Sequence, residues 1–590
     1  MYDVTIDGKR LSVEPGTTIL EAAKQAGVVV PTMCFLENRA PLGACRVCVV
    51  EVTGAKVLMA ACATPVADGM EVKTNSQRVR QARRTVVELL LSEHEGNCQY
   101  CERGLDCELK DLSHRLGVDG ITYQGEKPPV LTDLSTAALV RDSGKCIKCR
   151  RCVTVCNEVQ GVGALFPQGR GYATVIGPAF ASELADVPCV QCGQCAAVCP
   201  VGAIYEQSHM DGVWQALEDP SKHVVVQTAP AIRAALGECF DYPPGTLVTG
   251  KMVRALRELG FDGVFDTNFA ADLTILEEGN ELLERLTRAV KVQQDVPLPM
   301  FTSCSPGWIK FCEHFFPEFL PNLSSCKSPQ QMFGAVAKTY YAKNKGIAPE
   351  DIVVVSVMPC TAKKFEASRP EMNASGVADV DYVLTTRELG KMIRTAGLVF
   401  EDLADDTMDD PLGISTGAAD IFANTGGVME AALRTVWEVV TGNELPGENL
   451  HVKPVAGLEG IKEVSLPISG ALADWSFLDG VEVKVAVAHG LGNARRLLEE
   501  IKAGRRSYHF VEIMTCPGGC IGGGGQPRMT TDSIREARIQ AIYREDEGKA
   551  LRKSHANPAV LKLYEDFLGK PLGEASHHLL HTHYTARPVV

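Results

Sequence analysis

The chain has 590 residues, 45% hydrophobic and 22% charged, with 22 cysteines and a formal net charge of −14. That is the composition of a soluble folded protein of roughly four domains, with enough chain to bury several cores without disulfides. It excludes a disordered chain and argues against a nucleic-acid-binding face; no apolar run is long enough to span a bilayer, and MYDVTIDGKRLSV has neither the basic head nor the apolar run of a secretory signal.

Fifteen of the 22 cysteines lie between Cys34 and Cys199, in tight groups with two- or three-residue gaps. In a long chain without a visible signal peptide, this grouping reads as metal binding in a reducing, cytoplasmic compartment rather than as a disulfide framework. Zinc sites usually come as separated ligand pairs. Iron–sulfur clusters need cysteines wrapped closely around an inorganic core, which these spacings provide.

In chain order, YDVTIDGKRLSV reads as two short strands turning at Asp7-Gly8, and TTILEAAKQAG as a helix closed by Gly27. Cys34, Cys45, Cys48 and Cys62 follow with the spacing C-x10-C-x2-C-x13-C, and Gly43 and Ala44 are small where a loop must pass close to a cluster. Two strands, a helix and a cysteine loop resemble a plant-type 2Fe–2S ferredoxin, although that family's C-x4-C-x2-C spacing is not matched. Zinc or free thiols are the alternatives for this first unit, residues 1–78.

The second unit, residues 79–135, opens on a helix in which Val79, Ala82, Val86, Leu89 and Leu90 fall on one face. His94, Cys98, Cys101 and Cys107 follow as H-x3-C-x2-C-x5-C. A lone histidine is ordinarily a surface or core residue. Placed before three cysteines in a short polar loop that lacks a fourth, it is the expected fourth ligand. The arrangement resembles the His-plus-three-Cys 4Fe–4S site of iron-only hydrogenases and of the large iron–sulfur subunit of respiratory complex I.

In the third unit, residues 136–215, Cys146, Cys149, Cys152 and Cys156 form C-x2-C-x2-C-x3-C, and Cys189, Cys192, Cys195 and Cys199 repeat it. This is the bacterial two-cluster ferredoxin run, in which the fourth cysteine of each run binds the other cluster. One 4Fe–4S cluster then takes Cys146, Cys149, Cys152 and Cys199; the other takes Cys189, Cys192, Cys195 and Cys156. Asn157 stands where the first run usually has proline; a zinc ribbon is the alternative.

From Lys222 onward the texture changes. HVVVQTAP (223–230), DIVVVSVMPC (351–360), VEVKVAVAHG (481–490) and YHFVEIMTC (508–516) read as buried strands, with helical stretches such as GKMVRALRELG (250–260) between them. This alternation predicts parallel sheets covered on both faces, with ligands bound beyond the carboxyl ends of the strands. Cys304, Cys360 and Cys516 follow such strands, Cys520 comes just after in CPGGCIGGGGQP, and the glycines between Gly518 and Gly525 permit close backbone approach to a cofactor.

TSCSPGW (302–308), MPCTAKKFE (358–366) and EIMTCPGGCIGGGGQP (512–527) resemble the three signature motifs of iron-only hydrogenases. With the cluster motifs ahead of them, the resemblance covers nearly the whole chain and is strongest to the catalytic subunit of multi-subunit, NAD(P)-linked members. It implies a 4Fe–4S cluster joined through one thiolate to a two-iron unit carrying CO, cyanide and a bridging dithiolate amine. Carried over by motif, Cys360, Cys516 and Cys520 are cluster ligands, Cys520 bridging to the two-iron unit. Lys363 donates to a cyanide ligand, and Pro230, Ala231, Gln330, Met358 and Met514 line the pocket. Where the family's first motif has two adjacent cysteines, the first relaying protons and the second ligating, this chain reads Cys304-Ser305. Strict alignment makes Cys304 the relay and puts Ser305 in the ligand position, where oxygen is a poorer iron ligand than sulfur. The other arrangement has Cys304 as ligand and an altered relay.

In ILEEGNELLERL, Glu278 and Glu281 share a helix face, which by itself is an ordinary solvated acidic face. The resemblance places them in a proton route with Ser324 and Glu366, and with Arg285 near its surface end; carboxylates and hydroxyls both accept and donate protons. Residues 245–252 are a near miss to a phosphate-binding loop, with Met252 where a hydroxyl is needed, and His489-Gly490 reads as a tight strand-to-helix turn. Cys239, Cys312 and Cys326 read as buried thiols. His555, His577, His578, His581 and His583 mark a C-terminal tail, residues 546–590, expected to dock a partner, with metal binding as the alternative.

The expected architecture is thus α+β iron–sulfur domains followed by an α/β catalytic domain with parallel sheets, residues 216–545. The expected cofactors are one 2Fe–2S cluster, three 4Fe–4S clusters and the catalytic 4Fe–4S cluster with its two-iron unit. The expected activity is reversible interconversion of H2 with protons and electrons. The expected partners are flavin- and NAD(P)-binding and further iron–sulfur subunits, or ferredoxin, with no nucleic acid and no membrane span. A hydrogen or redox sensor with slow turnover, and a non-catalytic electron-transfer or assembly protein, are the alternatives; Lys363 within a complete MPCTAKKFE argues against the last.

Overall fold

The structure is a computed structural model in which residues 1–125, 127 and 130–589 are described. At the N-terminus, strands Tyr2–Ile6 and Lys9–Val13 pair antiparallel through Asp7 and Gly8, whose φ of 47° and 83° suit the twist of a two-residue hairpin. Strands Glu71–Lys73, Val49–Val52 and Met59–Ala60 complete a five-stranded sheet. The helix Ile19–Gln25, capped by reciprocal Thr18 and Glu21 hydrogen bonds, buries Ile19, Ala22 and Ala23.

The helix Gln77–Glu93 buries Val79, Arg83 and Val87, so the buried stripe only partly follows the apolar face read from the sequence: Val86 and Leu90 are half-buried against the core and Leu89 is 47% exposed. The reason is Arg83, whose guanidinium donates to the Val49 carbonyl at 2.9 Å and so occupies the middle of the buried face. Apolar periodicity cannot reveal a buried cation.

The next unit is an internal repeat. Lys148 and Arg150 have φ of 55° and 65°, and the matching Gln191 and Gly193 have 55° and 71°, so both cysteine loops make the same left-handed turns. The second loop needs glycine for a further reason: a Cβ on Gly193 would lie 2.4 Å from Thr361 Oγ1 of the catalytic half.

The half from Lys222 onward, where the catalytic domain is expected, holds two four-stranded sheets. In the first, Gly263–Asp266, His223–Thr228, Ile352–Met358 and Tyr382–Thr385 are all parallel. Val224, Val225 and Val226 are all buried, as expected of a strand covered on both faces. In the second, Met300–Phe301, Phe510–Met514 and Glu482–His489 are parallel, while Ile461–Pro467 pairs antiparallel at the edge. This edge strand is the departure from the expected parallel sheets. The near-miss phosphate loop runs into the helix Thr249–Glu258, and its Lys251 ammonium donates to the Glu401 and Leu403 carbonyls at 2.8 and 2.6 Å.

The expected docking tail is packed against the catalytic half instead. The helix Asp532–Gly548 runs across the expected 545/546 boundary, and Val560, Leu563, Leu568 and Leu580 lie in the core. Tyr564 donates to Glu277, Asn557 to Asp272 at 2.9 Å, and Arg587 to Glu313 at 2.6 Å. These side chains serve buried carboxylates of the helices Thr267–Leu286 and Pro306–Phe315. His555 contacts Thr435 and Glu438, away from His581, so the histidines do not gather into one site. Among the described residues no helix is long and apolar enough to cross a membrane.

Candidate active site and cysteine clusters

Cys34, Cys45, Cys48 and Cys62 are buried, with Cys48 and Cys62 sulfurs 3.4 Å apart. His94 is buried, and its Nδ1 lies 3.0 Å from the Lys145 carbonyl oxygen. An Nδ1–H bond there leaves the Nε2 lone pair free for a metal, the usual second-shell arrangement of a ligating histidine. Burial also lowers the His94 pKa, favouring the neutral ring. Cys98 is exposed, while Cys101 and Cys107 are half-buried, and a Cβ on Gly202 would lie 2.6 Å from Cys101 Sγ. The second cysteine loop thus sits against the segment that follows Cys199.

Cys146, Cys149, Cys152 and Cys199 line one cavity, and Cys156, Cys189, Cys192 and Cys195 line another. These are the two crossed sets the repeat assigns. Burial pushes the Cys146 and Cys156 thiols up to about 11 and raises Cys152, Cys192 and Cys195 further. Four cysteines gathered around a cavity suit a metal cluster, because metal binding provides the cations that make buried thiolates tolerable.

One cavity lies where strand ends from both sheets meet. Ala229-Pro230, Cys304-Ser305, Met358-Pro359-Cys360 and Met514-Thr515-Cys516 all follow strands and line it, together with Gln330, Lys363 and Cys520. Ala231 is not in this lining; it lies behind the wall, its carbonyl accepting from Gln526 at 3.2 Å. Cys360, Cys516 and Cys520 are three thiols at one end, and burial raises all three, Cys520 to about 12. Gln330 Oε1 is buried without a hydrogen-bond partner. Three thiols and the Lys363 ammonium fit an iron–sulfur group with anionic ligands.

The glycine run works differently from the expectation. Gly519 and Gly523 line the cavity, but a Cβ on Gly523 would lie 2.2 Å from the Pro359 oxygen and one on Gly524 2.1 Å from the Cys192 oxygen. The glycines chiefly let this loop close on protein backbone. With Gln194 Nε2 donating to the Gly522 carbonyl at 2.8 Å, they bring the cavity against the Cys192 cluster loop.

Lys363 donates to Ser328 Oγ at 2.7 Å, Glu366 Oε2 at 2.9 Å and the Cys304 carbonyl at 3.1 Å. Glu366 is therefore an anchor for Lys363 and does not join the Glu278–Ser324–Glu281 chain. Ser324 Oγ donates to Glu281 Oε2 at 2.8 Å and also interacts with Glu278; Arg285 donates to Glu281 Oε1 at 2.7 Å. Burial, then the charge of Glu281, pushes Glu278 up to about 8. Burial, then the charge of Glu278, raises Cys304 well above an ordinary thiol. Ser305 Oγ lies 2.7 Å from Thr515 Oγ1. Sequence reasoning missed Ser328 and Thr515, which carry no motif of their own, and Glu277, adjacent to a residue it did single out.

Residues 222–524 match the family described as iron only hydrogenase large subunit, C-terminal domain, and 532–587 match the iron hydrogenase small subunit. Ahead of these, 1–77 match a 2Fe-2S iron-sulfur cluster binding domain, 83–122 the NADH-ubiquinone oxidoreductase-G iron-sulfur binding region, and 145–203 a 4Fe-4S dicluster domain. The chain is 53% identical over 594 residues to the NADP-reducing hydrogenase subunit HndD of Solidesulfovibrio fructosivorans, spanning 100% of this chain and 99% of that one. It is 40% identical over 592 residues to iron hydrogenase 1 of Clostridium pasteurianum, spanning 99% and 100%. An apo FeFe-hydrogenase from Chlamydomonas reinhardtii superposes with a TM-score of 0.58 at 45% identity, covering 64% of this chain and 99% of that one. Cavity, cysteine sets and full-length similarity together place this enzyme in the iron-only hydrogenase family.

Proposed function

We propose that this chain is the hydrogen-converting subunit of a larger, NADP-linked assembly. The observation that carries the reading is the shared cavity of Cys360, Cys516, Cys520 and Lys363, flanked by the Glu278 carboxyl on one side and the Cys192 loop on the other. Cys360, Cys516 and Cys520 would hold the catalytic 4Fe–4S cluster, with the Ser305 hydroxyl as the remaining donor. When bound, the two-iron unit supplies the metal site at which hydrogen is split or formed.

The protein's own groups do the rest. Lys363, fixed by Ser328 and Glu366, presents an ammonium to an anionic ligand. Cys304, beside Glu278, holds and passes a proton; Ser324 and Glu281 carry it on to the surface at Arg285. The two crossed cysteine sets would hold a pair of 4Fe–4S clusters, His94 with Cys98, Cys101 and Cys107 a third, and Cys34, Cys45, Cys48 and Cys62 a 2Fe–2S cluster, groups whose chemistry is electron transfer. The relative's designation as a subunit of an NADP-reducing hydrogenase supports an external pyridine-nucleotide partner.

The test is hydrogen evolution from reduced methyl viologen by chain matured with the two-iron unit. Cys304→Ala is expected to lower turnover by roughly 10²–10⁴-fold, as for loss of a positioned acid or base, while the infrared CO and cyanide bands persist. Retained turnover would remove Cys304 from the relay; absent bands in the wild type would sink the hydrogenase reading. At the His94 site, His94→Cys is expected to lower that cluster's midpoint potential, because a neutral imidazole gives way to an anionic thiolate. A redox titration followed by electron paramagnetic resonance reads it, and an unshifted potential would mean His94 is no ligand.

A further inference from the structure

Outside the cavity and the cysteine clusters, Glu281, Cys326 and His581 bring a carboxylate, a thiol and an imidazole together, with ligand atoms all within 4.8 Å of one another. The chain builds this cluster by a backbone device. Lys327 N donates to the Leu580 oxygen and Thr582 N to the Ser325 oxygen, both at 2.7 Å, so residues 580–582 pair antiparallel with 325–327. Cys326 and His581 face each other as the non-hydrogen-bonded pair, the position in which opposed side chains come closest.

Each donor is aimed. His581 Nε2 lies 3.1 Å from Glu277 Oε2, and Glu277 is itself held by the Tyr564 hydroxyl and by Leu572 N at 2.8 Å. A carboxylate on one ring nitrogen fixes the tautomer and leaves the other, here Nδ1, as a metal donor. That Nδ1 lies 2.8 Å from Ser325 Oγ. Glu281 Oε1 is held by Arg285, leaving Oε2 toward Ser324 Oγ at 2.8 Å and Cys326 Sγ at 4.0 Å. The Glu281 and Arg285 side chains are 12% and 13% exposed, which gives an ion a way in.

We propose that Glu281, Cys326 and His581 form a site for one zinc-class divalent cation, and that filling it takes Glu281 out of proton transfer. One nitrogen, one sulfur and one oxygen are the donors a borderline-soft, tetrahedral ion selects, with the fourth place left to a serine hydroxyl or water. The second clause rests on the proton route proposed above; the site itself does not.

The test uses the full-length, cluster-loaded enzyme, washed with chelator, exposed to zinc chloride and desalted. Wild type is expected to retain one more zinc per chain than Cys326→Ser or His581→Gln, by elemental analysis. Its zinc-edge absorption spectrum is expected to show a sulfur scatterer at about 2.3 Å and a nitrogen at about 2.0–2.1 Å. Zinc loading is expected to cut wild-type turnover about tenfold or more, reversibly with chelator, given the range for a lost proton-transfer group. Equal zinc in all three proteins, or a wild-type spectrum without sulfur, would overturn the site and leave the cluster as a pin for the C-terminal segment. Zinc held with turnover unchanged would uphold the site and overturn the role of Glu281 in the route.

Discussion

Glu278→Gln is expected to lower hydrogen turnover by roughly 10²–10⁴-fold at neutral pH, with iron content and infrared bands unchanged. Glutamine keeps the size and the acceptor that Ser303 N reaches at 3.3 Å, but has no acidic proton to pass. Burial and the Glu281 charge push Glu278 up to about 8, so at pH 7 it is mostly protonated and poised to exchange protons with Cys304 on one side and Ser324 on the other. The same shift fixes the sign of a stability effect. Between the ordinary carboxyl value of 4.5 and about 8, the folded chain binds more protons at this group than the unfolded chain. Stability therefore falls as pH rises through that window. Denaturant midpoints at pH 5 and pH 8 are expected to differ less in Glu278→Gln than in wild type. Near-normal turnover in the variant would take Glu278 out of the route, whatever the stability series showed.

How much of this was legible depended on whether a site is local in sequence. Cysteine groups are local in sequence, so the two crossed sets that line separate cavities in the third unit could be read from spacing. The catalytic cavity was legible because four strand ends deliver their motifs to one place, and the strands 223–228, 352–358, 482–489 and 510–514 are long apolar runs. Gly263–Asp266 is too short to stand out, and most of Ile461–Pro467 alternates exposed and half-buried residues, so this edge of the second sheet was not readable. Long-range polar pairs were least visible. Nothing in the sequence says that Arg83 reaches Val49, that Thr515 faces Ser305, or that Glu366 serves Lys363 rather than Ser324. Each depends on tertiary packing that no single segment carries.

Truncation after Gly548 puts the C-terminal reading to its strongest test. A docking tail would be dispensable with an artificial electron donor: the shortened chain would fold, load its clusters and turn over with methyl viologen, losing only its partner. The packing predicts the opposite. Val560, Leu563, Leu568 and Leu580 leave the core, each worth about 1.5–3 kcal/mol when buried. Glu277 is fully buried, and it loses Tyr564, Leu572 N and His581 together; stripping one buried charge of its partners costs about 3–5 kcal/mol. The sum is comparable with the whole stability of a domain, about 5–15 kcal/mol. The truncated chain is therefore expected to aggregate or to lose its iron, measured as soluble yield and iron per chain. Glu277→Gln in the full-length protein isolates the electrostatic share. It leaves the apolar contacts and Tyr564 in place, so it should fold and load iron while losing the carboxylate that orients His581. The match of residues 532–587 to a family described as a hydrogenase small subunit fits the same physics: this segment meets the catalytic half as a partner would, through buried carboxylates and an antiparallel bridge at Cys326 and His581, but on one chain.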